Sequence, residues 1–140
     1  MVDSNVTFGS AAQMGEDGHV GANTTIGGVL DPAEKRPVVI GDNVSIGAGS
    51  RITSGAEIGD RVNTGEDLLL NPSIEVYDLV NNQILEGEIP SNRTAFRRTK
   101  ESSVSDHELF DEDESVQKPI VVAVEYDEDA VELEEELRMD

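Results

Sequence analysis

Residues 38–62 read VVIGDNVSIGAGSRITSGAEIGDRV, and every sixth residue from Ile40 to Ile58 is isoleucine. The same spacing of six runs through the chain from Val2 to Ile26. We call these apolar residues the anchors: Val2, Phe8, Met14, Val20, Ile26, Ile40, Ile46, Ile52 and Ile58. A small or β-branched residue stands four positions after each anchor of the quoted stretch, at Val44, Ser50, Ala56 and Val62. Two positions in every six are therefore suited to a protein interior.

Glycine directly follows seven of the nine anchors, for example at Gly15, Gly21, Gly27, Gly41, Gly47 and Gly59. We expect glycine at these positions because a sharp corner needs a backbone that can adopt unusual φ values. A repeat of six residues with apolar anchors is the signature of a solenoid of short parallel strands. The sequence therefore predicts an all-β fold, a parallel β-helix built from hexapeptide repeats.

The repeat is interrupted once, because Ile26 and Ile40 lie fourteen residues apart. We interpret this spacing as two repeats of six plus a two-residue slip. Residues 31–37 contain Pro32 and Pro37, so we expect them to bulge from the coil as a loop.

The apolar period changes from six to two at Ile74, which predicts a hairpin after the coil. In the C-terminal part, residues 120–124 predict a short strand and residues 127–139 a helix. The predicted organisation is a coil over 1–73, a hairpin with a basic connector over 74–100, and an acidic extension over 101–140.

The chain carries 30 acidic and 10 basic residues, a formal net charge of −20. Such a surface repels nucleic acid and anionic membranes, so neither is expected as a partner. We interpret the acids as adaptation to a high-salt cytoplasm, where ions screen the self-repulsion; acidic tails are the simpler alternative. There is no Cys and no apolar run near the ~20 residues that span a bilayer. We therefore expect a cytoplasmic protein without disulfides or a metal site.

Several stretches resemble, in order, the coil of the tetrahydrodipicolinate N-succinyltransferase family. They are Met1-Val2-Asp3, residues 27–32, Val38-Val39-Ile40 with Asp42-Asn43, and Ile46-Gly47-Ala48. The match continues through the hairpin, where Val76-Tyr77-Asp78, Ile84, Gly87 and Ile89-Pro90 are similar to that family's Ile-Tyr-Asp, turn, Ile, Gly, Val-Pro segment. The resemblance extends over residues 1 to about 98, and it is carried most specifically by the loop and the hairpin.

The resemblance implies a left-handed β-helix, a homotrimer, and active sites in grooves between adjacent coils. It implies transfer of succinyl from succinyl-CoA to the amine of 2-amino-6-oxopimelate, the opened form of tetrahydrodipicolinate, in lysine and diaminopimelate synthesis. A solenoid this short cannot hide both ends of its stack, which also favours a trimer. The family has further coils and a helical domain before its Met-Val-Asp motif, so we expect a truncated reading frame or a misplaced start.

Asp3 matches the family's catalytic acidic residue, which would bind the substrate and accept a proton from its amine. A solvated corner aspartate is the simpler alternative. His19 is the second, less favoured candidate base, and a groove-wall histidine that hydrogen-bonds the neighbouring coil is the simpler alternative. Where the family reads Gly-Ala-Arg-Ser-Glu, this chain reads Gly47-Ala48-Gly49-Ser50-Arg51. Arg51 is therefore a candidate to bind a substrate carboxylate, or a plain surface arginine.

Backbone N–H groups near small residues are the candidate contacts for the coenzyme and its thioester, at Gly21, Ala22, Thr25, Ala48 and Gly49. Corner packing alone would also select small residues there. Arg97 and Arg98, in the basic segment after the hairpin, are candidates to bind the coenzyme phosphates. Charge relief between subunits is the alternative for these cations.

Three other functions are weighed against the succinyltransferase. An N-acetyltransferase acting on the same acceptor has a similar coil around His19-Val20-Gly21-Ala22. An inactive, truncated trimeric hexapeptide-repeat protein is also compatible with the sequence. A zinc carbonic anhydrase on this coil would need three imidazoles at each metal, and the chain has two histidines.

Overall fold

A computed structural model of the 140-residue chain describes residues 1–28, 36–103 and 107–129. These residues form strands joined by turns, with no helix among them. The strands are β1 Thr7–Phe8, β2 Gln13–Met14, β3 His19–Val20, β4 Thr25–Ile26, β5 Val39–Ile40, β6 Ser45–Ile46, β7 Arg51–Ile52, β8 Glu57–Ile58, β9 Val62–Thr64, β10 Leu69–Leu70, β11 Glu75–Asp78, β12 Gln83–Glu86, β13 Glu88–Ile89, β14 Arg93–Ser103 and β15 Ser115–Glu125. No helix that could cross a membrane occurs in the described ranges.

Consecutive short strands lie on three faces in turn. Each strand stacks on the strand that occupies the same face one coil earlier. Face 1 consists of β1, β4, β7 and β10, and face 2 of β2, β5, β8 and β13. Face 3 consists of β3, β6, β9 and β14. Stacked strands are parallel, and one coil takes eighteen residues, as between Ser45 and Asn63. The predicted parallel β-helix is confirmed.

The anchors fill the interior of the coil. Val20, Ile26, Ile40, Ile46, Ile52 and Ile58 are each at most 2% exposed. Removing a side chain of this size from water stabilises the fold by roughly 1.5–3 kcal/mol. At the first coil the interior is open, since Val2 is 58% and Phe8 42% exposed.

The interpretation of the gap between Ile26 and Ile40 was wrong. Gln13 pairs with Val39, twenty-six residues later, whereas an uninterrupted coil takes eighteen. β4 and β5 lie on consecutive faces, so one corner carries an eight-residue insertion and no repeat is skipped. The expected loop falls mainly on residues 29–35, which lie outside the described part of the chain.

The reason given for glycine after each anchor was also wrong. The positive φ angles lie two residues further on, for example at Asn23 (φ 60°) and Asn43 (φ 57°). Asn tolerates this left-handed conformation better than most residues. A Cβ on Gly21 would instead lie 2.5 Å from the nitrogen of Ala48 on the next coil. Glycine is needed because adjacent coils approach closely at that point.

Beyond the coil, β11 and β12 form the predicted antiparallel hairpin, and β11 pairs in parallel with β15. The structure differs from the predicted basic connector, because residues 93–103 form an eleven-residue strand that pairs with β15. β15 is likewise longer than the strand predicted over 120–124. Of the predicted helix, residues 127–129 form no helix, and residues 130–140 lie outside the described part.

A buried ion pair attaches the hairpin to the coil. Asp78 of β11 is 1% exposed and Arg93 of β14 is 7% exposed. The guanidinium donates to the carboxylate through Nε at 2.9 Å and Nη2 at 3.0 Å. These hydrogen bonds lower the pKa of Asp78 to about 2, although burial alone would raise it. Arg93 is therefore fully engaged inside the chain, so it cannot belong to a surface phosphate site.

Candidate functional site

Five of the predicted site residues lie along one corner of the coil. The corner lies between face 3 and face 1, and its residues stack from coil to coil. We call it the site corner; it comprises residues 3–5, 21–23, 47–49 and 65–67. The stacking follows from the backbone, where Asp3 N–H donates to Val20 O at 3.0 Å and Gly21 N–H to Ile46 O at 2.8 Å. Asp3, Gly21, Ala22, Ala48 and Gly49 are thereby collected in one column.

Other predicted residues flank this column. His19 is exposed on β3, at the face 3 side of the corner. Thr25 and Arg51 are paired neighbours on face 1, at the other side. The corner therefore has an imidazole on one side and a guanidinium on the other. Within the described chain no hydrogen bond to the His19 ring is present, so the ring is open to a ligand or to another subunit.

The backbone donors of the site corner are not equivalent. Gly21 N–H, Gly49 N–H and Thr25 N–H already donate to carbonyls of neighbouring coils, at 2.8, 2.8 and 2.9 Å. Ala22 N–H and Ala48 N–H donate to no group in the described part of the chain. Of the five backbone groups predicted from the sequence, only these two are open to a ligand.

A different corner shows why the N–H of Ala22 is open. Between face 2 and face 3, Glu16 N–H donates to the side chain of Asp42 at 2.7 Å, and Asp42 N–H to that of Asp60 at 2.8 Å. Each aspartate side chain thus accepts a hydrogen bond from a backbone N–H group on the preceding coil. The matching residue below Ala22 is Ala48, whose methyl group cannot accept a hydrogen bond. The open donor could be predicted from the sequence, because alanine replaces aspartate at this position of the repeat.

Arg97 and Arg98 lie next to the site corner but point in opposite directions. β14 follows face 3 until Ala95, which pairs with Thr64, and then runs straight on while the coil turns. Side chains alternate along a strand, so Arg97 shares the coil side of the sheet with buried Ala95. Arg98 lies on the outer side, with its guanidinium 5.0 Å from the centre of the Phe96 ring. Arg97 therefore lies on the side of β14 that faces the coil, and Arg98 on the opposite side.

The column extends over three coil steps, from Asp3 to the row of Glu66 beside β14. At the usual strand spacing of about 4.8 Å this is roughly 14 Å. The carboxylate of Asp3 lies at one end and two N–H donors lie between. At the other end stand Glu66 and Asp67, with Arg97 two residues beyond Ala95 on the neighbouring β14. Such an arrangement can hold an extended ligand that has carbonyl groups along its length and a negative charge at its end.

Two further features bear on the site. In the described residues no group of three His, Cys, Asp or Glu side chains could hold a metal ion. An open cleft of about 590 Å³ is lined by Leu79, Val80, Thr94, Phe96, Val124, Glu125 and Asp127. None of the residues predicted for the site lines this cleft, and the sequence did not predict it.

Comparison with known proteins places the repeat and the chain in context. Residues 37–68 match the family described as bacterial transferase hexapeptide (six repeats). The chain is 34% identical over 110 residues to the 2,3,4,5-tetrahydropyridine-2,6-dicarboxylate N-succinyltransferase of Idiomarina loihiensis, covering 79% of this chain and 40% of that protein. To the enzyme of the same name from Dechloromonas aromatica it is 32% identical over 110 residues, with coverages of 79% and 40%. For that of Wolbachia sp. subsp. Brugia malayi the identity is 38% over 90 residues, with coverages of 64% and 33%.

The chain spans about two fifths of the length of the first two of these relatives. The recognition made from the residues is confirmed: this chain is a hexapeptide-repeat protein related in sequence to the 2,3,4,5-tetrahydropyridine-2,6-dicarboxylate N-succinyltransferases.

Proposed function

We propose that the chain is the coenzyme-binding coil of an N-succinyltransferase. The reaction moves succinyl from succinyl-CoA to the amine of 2-amino-6-oxopimelate, in lysine and diaminopimelate synthesis. The name shared by the relatives supports this choice of donor and acceptor over an acetyl donor. The observation that carries the proposal is the site corner, where two open N–H donors lie between Asp3 and Arg97.

The coenzyme would lie along the site corner with its thioester near Asp3 and its phosphates near Arg97. The N–H groups of Ala22 and Ala48 are one coil apart, about 4.8 Å, and they would donate to successive carbonyls of the extended ligand. Arg97 would bind phosphate as a charged, planar donor. The coenzyme is a co-substrate in this scheme, and no metal takes part.

In the chemical step the substrate amine attacks the thioester carbonyl. A C–N bond forms, the C–S bond breaks, and coenzyme A leaves as its thiolate. Asp3 accepts the proton that the amine loses, and Ala22 N–H stabilises the negative charge that develops on the carbonyl oxygen. Arg51, on face 1 beside the corner, would hold a carboxylate of the acceptor. His19 is the alternative base on the opposite side.

The working form is proposed to be a homotrimer in the cytoplasm, with the site corner facing a groove between subunits. A solenoid whose units contact only their neighbours leaves its ends open, which favours assembly.

The proposal is tested by calorimetric titration of succinyl-CoA into the chain and into two arginine variants. Arg97→Gln is expected to weaken binding about tenfold, since it removes a charge-assisted contact to phosphate. Arg98→Gln is the matched control, because it removes the same charge from the next residue on the opposite side of β14. Equal effects of both variants, or no binding by the unchanged chain, would contradict the proposed coenzyme site. Acetyl-CoA in place of succinyl-CoA tests the choice of donor.

A further inference from the structure

A cluster of buried hydroxyl groups lies directly beneath the site corner. Thr24, Ser50 and Thr64 are each 0% exposed. Thr64 stands six residues after Ile58, at a position where the repeat calls for an apolar anchor. Polar side chains in an apolar interior need partners, and no buried side-chain polar atom in the described chain lacks one.

The partners of these hydroxyls converge on one residue, Gly47. Its carbonyl oxygen accepts from Ser50 Oγ at 2.7 Å and from Thr24 Oγ1 at 3.3 Å. Its N–H donates to Thr64 Oγ1 at 3.1 Å. Ser50 Oγ also accepts from Leu68 N–H at 3.2 Å, which fixes the direction of its hydroxyl group. Gly47 is thus held from the inside through both of its backbone groups.

This arrangement determines where the N–H of Ala48 points. The carbonyl of Gly47 and the N–H of Ala48 belong to the same peptide group, which is trans and planar. In such a group the two bonds point in opposite directions. Because the carbonyl is drawn inward by two hydroxyls, Ala48 N–H is directed away from the interior. That N–H is one of the two open donors of the site corner.

We infer that Thr24, Ser50 and Thr64 are positioning residues, which hold the Gly47–Ala48 peptide so that Ala48 N–H is aimed at an amide carbonyl of the coenzyme arm. The inference rests on the proposed function, because it assumes that the ligand is an acyl-CoA. A donor fixed before binding requires no reorganisation when the ligand arrives, which strengthens its contribution. Ala22, the other open donor, has no comparable support: no described hydroxyl donates to the carbonyl of Gly21.

The test compares two ligands on the full chain. Coenzyme A has the amide-bearing arm, whereas adenosine 3′,5′-bisphosphate has the phosphates and adenine without it. Ser50→Ala is expected to weaken coenzyme A about tenfold and to leave the bisphosphate within about twofold. Ser50→Thr keeps the hydroxyl and should restore binding, since Thr24 already fills the equivalent slot one coil earlier. Val62→Ala is the matched control: it opens a cavity at a buried position whose side chain makes no hydrogen bond to Gly47, so the ratio of the two affinities should not change.

An NMR measurement without ligand tests the geometry directly. Ala48 N–H should exchange with solvent quickly while Gly47 N–H and Gly49 N–H are protected by their hydrogen bonds. If Ser50→Ala does not fold, Thr64→Val and Thr24→Val remove a hydroxyl without changing side-chain shape and take its place.

The outcomes separate the two claims. Equal loss of both ligands in the hydroxyl variants, or no loss at all, overturns the positioning role. If the unchanged chain binds coenzyme A no more tightly than the bisphosphate, the positioning role is overturned, but the proposed phosphate site stands. Failure to bind either ligand overturns the proposed function, and the inference with it.

Discussion

Replacing Asp78 with Asn should destabilise the chain by an amount that depends on pH. The folded pKa of Asp78 is about 2, against an ordinary value of 3.8. At 1.36 kcal/mol for each pKa unit, ionisation of this one group stabilises the fold by about 2 kcal/mol at neutral pH. Because the folded pKa is the lower one, this stabilisation is complete above about pH 5 and is lost as the pH falls toward 2. The unpaired Arg93 left behind raises the total cost to roughly 3–5 kcal/mol.

Urea unfolding followed by circular dichroism, at several pH values and constant salt, measures this difference. The gap in unfolding free energy between the unchanged chain and Asp78→Asn should be largest at neutral pH and should shrink on acidification. Glu75→Gln is the matched control, since Glu75 pairs with Lys118 on the same sheet but both side chains are substantially exposed. It should change stability little, because exposed ion pairs contribute little. A gap that is absent at neutral pH, or constant with pH, would refute the reasoning.

Four further outcomes are expected. Ala11 has a positive φ of 64°, so Ala11→Gly should stabilise the chain by about 1 kcal/mol in thermal unfolding, and a loss of stability would contradict the assigned backbone. Gly21→Ala should destabilise it by roughly 1–3 kcal/mol, because the new Cβ meets the backbone of Ala48; an unchanged melting temperature would disprove the close approach. Where turnover is measured, Asp3→Asn should lower it by about 10²–10⁴-fold with little change in coenzyme binding. A larger loss of turnover in His19→Asn than in Asp3→Asn would instead identify His19 as the base. With a net charge of −20, the chain should dissociate or unfold as KCl is diluted, and light scattering in concentrated KCl should give the mass of three chains; a salt-independent monomer would contradict both expectations.

The repeat allowed the coil to be predicted from the sequence. The prediction was wrong where the chain departs from the repeat. Ile40 and Ile46 could be placed inside from their spacing alone, because every sixth position must face the same interior. The same spacing could not show that Ile26 and Ile40 lie on consecutive faces of the coil, since an anchor has the same chemistry on every face. Pairing of Gln13 with Val39 settles that point, and pairing is a property of the fold.

The site was predictable in its backbone and less so in its side chains. Asp3, Ala22 and Ala48 follow from their places in the repeat, which put them on one corner. The buried pairing of Arg93 with Asp78 brings together residues fifteen positions apart on two different strands, so no local sequence pattern indicates it. The separation of Arg97 from Arg98 likewise required knowing that the segment is a strand, because in a strand adjacent side chains point to opposite sides.

The central claim is that acyl-CoA lies along the site corner, and a crystal structure of the chain with bound succinyl-CoA tests it most directly. The account predicts that the N–H groups of Ala22 and Ala48 lie within about 3 Å of carbonyl oxygens of the coenzyme, with its phosphates beside Arg97. Coenzyme bound elsewhere, for example in the cleft beside Phe96, with Ala22 and Ala48 still open to solvent, would contradict it.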